Sequence, residues 1–290
     1  MSDYVILTDS SCDLPPELER ELDLAVLPLT VEIEGKRYRN FLDGREIDPK
    51  EFYNKIRAGS QATTAAVNVG EWSDVMEPLL AEGKDLLVLA FSSGLSTTCN
   101  SAMIAAADLR EQYPDRKIYV VDTLCASMGQ GLLVYLACKR KEKGGSLEEV
   151  RDWVEQNKLH LCHWFTVDDL NHLKRGGRVS AATALVGTML NIKPVLHVDD
   201  EGHLINMSKA RGRQASLKAL VEKAAETAID PASQVMFLSH GDCLEEAGQV
   251  AQMVKDKLGV KEVVISYVGP VIGAHTGPGV IAFFFLGTQR

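Results

Sequence analysis

With 290 residues and a net charge of −9, the chain repels the phosphate backbone of nucleic acid, whose binding is driven by Lys and Arg. Hydrophobic residues at 46% and charged residues at 24% are ordinary for a soluble globular protein with one large core or two smaller ones. No apolar stretch approaches the roughly 20 residues that span a bilayer, and MSDYVILTD has no basic region before its apolar run, so a cytoplasmic protein without an integral membrane segment is expected.

In chain order, Tyr4–Thr8 reads as a short strand, Pro15–Leu22 as a helix and Leu24–Thr30 as a second strand running into a hairpin at Glu34-Gly35. Asp48-Pro49-Lys50-Glu51 is a helix start, with an Asp cap, Pro at the first helical position and Glu at the third. Gly70–Glu82 predicts a helix, Asp85–Ala90 a buried strand and Thr97–Tyr113 an alanine-rich helix. Lys117–Asp122 is another buried strand, followed by a helix from Ser127 to about Lys143. Strands alternating with helices imply a parallel sheet covered on both faces.

Ser146-Leu147-Glu148-Glu149 opens a further helix with a capping box. Beyond it the character changes. Pro194–Met207 contains two short alternating runs joined by Asp199-Asp200-Glu201-Gly202, a hairpin signature. Val235–Ser239 and Val263–Val268 are strands flanking a helix near Leu244–Leu258, and Val280–Leu286 is a closing strand. The expected fold is α/β in two domains: a parallel-sheet α/β/α domain over 1–159, and a mixed-sheet domain with helices on one side over 160–290.

The six cysteines are scattered without a CxxC pair and are expected to be structural thiols. His160, Cys162 and His163 resemble a metal-ligand spacing, but the stretch reads as a strand that would send the two histidines to opposite faces, so no metal is expected. His172, His197, His203 and His240 are isolated and receive no role. Lys174, Arg175 and Arg178 surround two glycines without the Lys-Ser/Thr of a Walker loop, and GxGxxG is absent, which argues against a nucleotide-binding module. That basic turn is either a solvated loop or a cationic edge for an anionic partner.

The richest chemistry lies in Phe91–Thr98 (FSSGLSTT) and Gly273–Gly279 (GAHTGPG). The first joins a buried strand to a helix, where hydroxyls and backbone N–H groups favour negative charge. The second sets His275 between glycines, so backbone and imidazole can both approach a ligand. A small anion held without a metal or a cluster of arginines follows. Ser96 with His275 as its base would make an esterase or thioesterase, the alternative reading, but the stretch does not fit a GxSxG elbow and no catalytic residue is expected.

These segments resemble the DegV family of bacterial fatty-acid-binding proteins. The matching stretches are Ile6–Leu14, Ala62–Val69, Phe91–Thr98, Val121–Thr123, Leu170–Ser180, Gly187–Pro194 and Gly273–Gly279, in the family's order. The resemblance implies one long-chain fatty acid, such as palmitate, stearate or oleate, in a buried tunnel between two α/β domains, with no cofactor. It assigns the carboxylate to Thr64, Ser96 and His275. It also implies that the carboxylate is presented to a separate ATP-dependent fatty-acid kinase subunit, in the service of phospholipid metabolism and with at most transient membrane contact. Arg178 and Arg211 match family arginines and are expected to face that partner or its phosphate. The sequence departs from the pattern at Ala65-Ala66, where Ser-Gln is usual, and at Thr97, where glycine is usual. Phe283, Phe284, Phe285, Ile272 and Leu190 are candidates to line the tunnel, each equally suited to ordinary core. A tail of about 14 methylenes would contribute on the order of 11 kcal/mol before ordering costs.

Overall fold

The alternating apolar runs resolve into three sheets in the computed structural model, which describes residues 4–179 and 191–290. Ser180, the stretch 187–190 and with it the tunnel candidate Leu190 lie outside the described residues. The first sheet is parallel, in the order β2-β1-β6-β7, from β1 (Tyr4–Asp9), β2 (Ala25–Leu27), β6 (Asp85–Ala90) and β7 (Ile118–Asp122). Every residue of β6 is buried, as an uninterrupted apolar run in a doubly covered sheet requires. The covering helices are α3 (Val69–Ala81) and α4 (Thr98–Gln112), with α5 (Met128–Glu142) and α6 (Leu147–Asn157) completing the set.

Caps start the helices where their side chains indicate. Asp48 Oδ1 accepts from the N–H of Glu51 at 3.0 Å to open α2 (Pro49–Arg57). Ser146 and Glu149 exchange both bonds of a capping box, at 2.8 and 3.3 Å, to open α6. A short α1 (Pro16–Glu21) also lies where expected. The hairpin at Glu34-Gly35 joins β3 (Thr30–Ile33) to β4 (Lys36–Arg39), with both turn residues at positive φ. A strand that the pattern did not announce, β5 (Ala62–Ala65), pairs with β3 to complete a small antiparallel sheet, β4-β3-β5. Four small residues carry too little apolar alternation to signal a strand.

The second half builds a six-stranded mixed sheet in the order β10-β9-β8-β13-β11-β12. Its strands are β8 (Leu161–Thr166), β9 (Ile192–Val198), β10 (Leu204–Arg211), β11 (Val235–His240), β12 (Glu262–Tyr267) and β13 (Ile281–Leu286). Only β11 and β12 run parallel; the last strand in sequence sits in the middle of the sheet. The helices α8 (Arg213–Thr227) and α9 (Leu244–Leu258) pack on one face over Phe283 and Phe285, and α5 closes the other face over Phe284 and Phe237. That alternation follows the two-residue period of a strand. One apolar cluster therefore runs from Tyr4 and Leu87 through Leu132 and Leu133 to Phe284, each buried leucine contributing about 2 kcal/mol.

Among the described residues three helices escaped the sequence pattern: α7 (Leu170–Arg175), α8 and α10 (Pro270–Thr276). The first and last span six and seven residues, less than a periodic apolar face needs, and α8 starts at Gly212 without a side-chain cap. All six cysteines are free and five are buried. No helix among the described residues is long and apolar enough to cross a membrane.

Candidate functional site

At the C-terminal ends of β1 and β6 the chain turns through the segment 91–97. Ligands of open α/β sheets bind at this edge. The turn is held from behind by Asp9, whose carboxylate accepts from the N–H of Phe91 at 2.8 Å, of Ser11 at 3.0 Å and from Gln130 at 3.2 Å. Burial raises the pKa of Asp9, and these donors oppose the rise. From the front, Ser92 Oγ donates to Gly202 O at 2.9 Å, tying the turn to the β9–β10 hairpin. Ser96 Oγ accepts from the N–H of Thr98 at 3.2 Å and lies 2.9 Å from Thr98 Oγ1, so a serine two residues ahead of α4 does the capping and Thr97 makes no cap bond.

Thr64 on β5 and His275 in the last turn of α10 meet from elements 211 residues apart: Thr64 Oγ1 lies 2.8 Å from His275 Nε2. Arg178, after α7, crosses to the hydroxyl turn. Its Nη2 and Nε donate to Leu95 O at 3.1 and 3.3 Å, and its Nη1 donates to Gly176 O. Thr64, Ser96, Arg178 and His275 all line one cavity of about 420 Å³. Its remaining wall is largely apolar, drawn from both halves of the chain and including Phe165, Val198, Leu204, Val268 and Ala282. Apolar walls with a few convergent polar groups are the usual form of a small-molecule site.

A second cavity of about 270 Å³ shares Thr64, Arg178 and His275 and adds Ser60, Gln61, His172 and Arg175. The polar cluster therefore stands between an apolar interior and a cationic recess. Arg175 donates to His172 Nδ1 at 2.9 Å there.

His275 is half-buried, and desolvation first, then the charge of Arg178, lowers its pKa to about 4. The imidazole is neutral at physiological pH. Among the described residues its Nδ1 is buried without a partner, so the arrangement that avoids an orphaned N–H has Nε2–H donating to Thr64. Thr64 is then left with its own hydroxyl proton to offer the cavity.

Gly176 makes this contact geometry possible. A Cβ at that position would lie 2.1 Å from His275 Nδ1. Gly176→Ala is expected to displace the ring and break its bond to Thr64, lowering affinity for the cavity's ligand about tenfold. A two-dimensional NMR spectrum in which the His275 ring signals stay unshifted in the variant would refute this.

Of the other residues singled out by sequence, Ile272 lines the larger cavity, whereas Phe283, Phe284 and Phe285 are core. Arg211 is exposed at the end of β10 and lines neither cavity. His160 lies just ahead of β8 with Nδ1 3.1 Å from Gly287 O. His163 lines the larger cavity, its Nδ1 2.9 Å from Leu161 O and its Nε2 accepting the N–H of Ala126 at 3.3 Å. Neither His163 nor Ser127, another lining residue, was singled out as a site residue. The spacing around His163 suggested only a metal ligand and nothing local marks Ser127, because their exposure to the cavity depends on packing between α5 and the second sheet. Ala65, Ala66 and Thr97, the departures from the family pattern, also line the cavity.

The family model described as "Uncharacterised protein, DegV family" matches residues 3–288. A DegV domain-containing protein of Clostridium perfringens is 47% identical over 290 residues, covering 100% of this chain and 99% of the relative. Among solved structures, a fatty-acid-binding DegV family protein from Thermus thermophilus superposes with a TM-score of 0.86 at 33% identity, over 98% of this chain and 99% of that one. A DegV lipid-binding protein from Thermotoga maritima gives a TM-score of 0.86 at 31% identity, over 99% of both chains. With the family model matching nearly the whole length and a relative 47% identical over 290 residues, the chain belongs to the DegV family.

Proposed function

We propose that this protein binds one long-chain fatty acid, its hydrocarbon in the 420 Å³ cavity and its carboxylate at Thr64 and Ser96. Arg178 supplies the positive charge, and His275 acts mainly by orienting the Thr64 hydroxyl. The observation that carries this reading is the convergence of Thr64, Ser96, Arg178 and His275 on the wall of an otherwise largely apolar cavity. A carboxylate buried without such donors would protonate instead. Solved family members that bind fatty acids or lipid support it.

The same reading extends to presentation. The smaller, cationic recess leads to Thr64, Arg178 and His275, and it is the route by which a separate ATP-dependent kinase subunit would reach the carboxylate. Arg211, exposed on β10, belongs to the partner-facing surface in this proposal. The protein is taken to work in the cytoplasm, without a cofactor and with no chemistry of its own. The division into domains at 159/160 is proposed alongside: the strands of the parallel sheet end at Asp122 and those of the mixed sheet begin at Leu161.

Denaturing the purified protein, extracting it with organic solvent and weighing the extract by mass spectrometry tests the reading. One fatty acid per chain is expected, or saturable uptake of added palmitate if the site is empty on isolation. Absence of both bound fatty acid and saturable uptake would remove the proposal. The esterase alternative has less support, because His275 Nε2 is engaged by Thr64 while the Ser96 hydroxyl is shared with Thr98. Hydrolysis of acyl esters by the isolated protein, abolished in Ser96→Ala, would favour it.

A further inference from the structure

Behind the cavity, a buried carboxylate joins its two halves. Asp13 follows β1 in the left-handed region at φ 50° and is 3% exposed. Its Oδ2 accepts from Ser127 Oγ at 2.6 Å, and its Oδ1 accepts from the N–H of Gly269 at 3.0 Å. Ser127 immediately precedes α5, lines the cavity, and is itself held at φ 52°. Gly269 immediately precedes α10, which brings Val271, Ile272 and His275 to the cavity. A Cβ on Gly269 would meet Asp13 Oδ1 at 2.8 Å and Asn40 Nδ2 at 3.2 Å, so only glycine lets this N–H reach the carboxylate. Beyond Ser127 the chain of bonds continues 2.9 Å to Ser239 Oγ on β11. Two non-glycine residues in a disfavoured backbone region persist only where surrounding bonds over-determine them.

We propose that Asp13, which does not line the cavity, is a positioning residue for the fatty acid: its carboxylate fixes the first residue of the α10 wall against the first residue of the α5 wall. The inference rests on the fatty-acid reading above. Ionised Asp13 holds the Gly269 N–H by a charge-assisted bond, which is about twice as strong as a neutral one. When Asp13 takes a proton on Oδ2, that O–H donates to Ser127 Oγ, which must then turn its own hydroxyl to Ser239, so the direction of the chain reverses and the grip on Gly269 weakens.

Of the groups facing Asp13, Asp9 is likewise raised by burial, so the Asp13→Asn comparison isolates the Asp13 share of the step. Burial lifts Asp13 from 3.8 to about 7 against the bonds from Ser127 and Gly269, and the like charge of Asp9 at the end of β1 adds to the rise. Cys12 in the same turn and Tyr53 on α2 have their pKa values pushed well up by burial and stay neutral. His240 beside Ser239 and His275 at the far end of α10 are each lowered to about 4, below the relevant window.

The raised value gives the two pH dependences opposite signs. Protonated Asp13 favours the folded state, a contribution fully present below about 4 and lost as pH rises through about 7, so stability falls with pH across that range. Retention of ligand rises over the same range, because the ionised form grips α10. Release of a fluorescent fatty acid, followed by stopped flow alongside melting temperature at pH 5.5 and 8, tests the proposal. Wild type is expected to release about fivefold more slowly at the higher pH while melting at a lower temperature. In Asp13→Asn, a neutral isostere, the Asp13 part of both slopes should vanish, while any slope from the ligand's own carboxyl remains. Should that variant fail to fold, Ser239→Ala removes the acceptor that the reversed chain needs and should move the release midpoint to lower pH. Equal slopes in wild type and Asp13→Asn, or an unmoved midpoint in Ser239→Ala, would sink the inference alone. Wild type that takes up no fatty acid at either pH would sink the reading beneath it and the inference together.

Discussion

Lengthening a saturated fatty acid from about eight to about sixteen carbons is expected to tighten its binding by about four orders of magnitude. Each methylene moved from water into an apolar cavity contributes about 0.8 kcal/mol, so eight of them contribute about 6 kcal/mol. Ordering the chain takes back part of that, which is why four decades and not five are expected. The rise must stop where the cavity ends, so affinity plotted against length should climb steeply and then flatten. Ala282 on β13 lines the wall and is nearly fully buried. Ala282→Trp would fill that part of the cavity, and the plateau should move to shorter acids. Displacement of a fluorescent fatty acid by a homologous series measures both curves. A series whose affinities do not change with length would remove the lipid reading, because a carboxylate-only site gains nothing from methylenes.

Removing the head-group hydroxyls is the second large effect. Thr64→Val with Ser96→Ala is expected to weaken fatty-acid binding by about 100-fold or more, since hydrogen bonds to a charged group are worth about 1.5–3 kcal/mol each. Thr64→Val preserves the shape but also strands His275 Nε2, whose partner in this structure is the Thr64 hydroxyl. A lower melting temperature should therefore accompany the lost affinity, and it must be measured separately. Binding of the corresponding methyl ester gives the control, because an uncharged head group gains little from these donors. Isothermal titration showing equal losses for acid and ester would mean that the variant had damaged the cavity and that Thr64 and Ser96 do not recognise the carboxylate.

The strands and most helices were legible because their signals are local. The run Asp85–Ala90, the Asp48-Pro49 helix start, the Ser146–Glu149 capping box and the Asp199–Gly202 hairpin each depend on residues within a few positions of one another. The short α10 was hidden in a glycine-rich segment, although Pro270 at its first position was a usable sign. Phe283, Phe284 and Phe285 could not be allotted to cavity or core by composition, since alternation along β13 assigns faces only once the neighbours on each face are known.

For the site, the residue types at Thr64, Ser96, Arg178 and His275 and the family motifs that contain them were set by sequence alone. The hydroxyls and the imidazole already point to an anion, whereas the sequence places Arg178 only toward a partner or its phosphate. Folding decided that Thr64 and His275 bond directly, that Arg178 grips the hydroxyl turn through Leu95 O, and that Arg211 points to neither cavity. It also decided the surroundings of Asp13 and His163, which include neighbours from distant parts of the chain. The physical reason is the range of the forces involved. Caps, turns and periodic burial act over a few residues, whereas a cavity is the space left when separate sheets and helices close on one another, and its walls belong to no single segment.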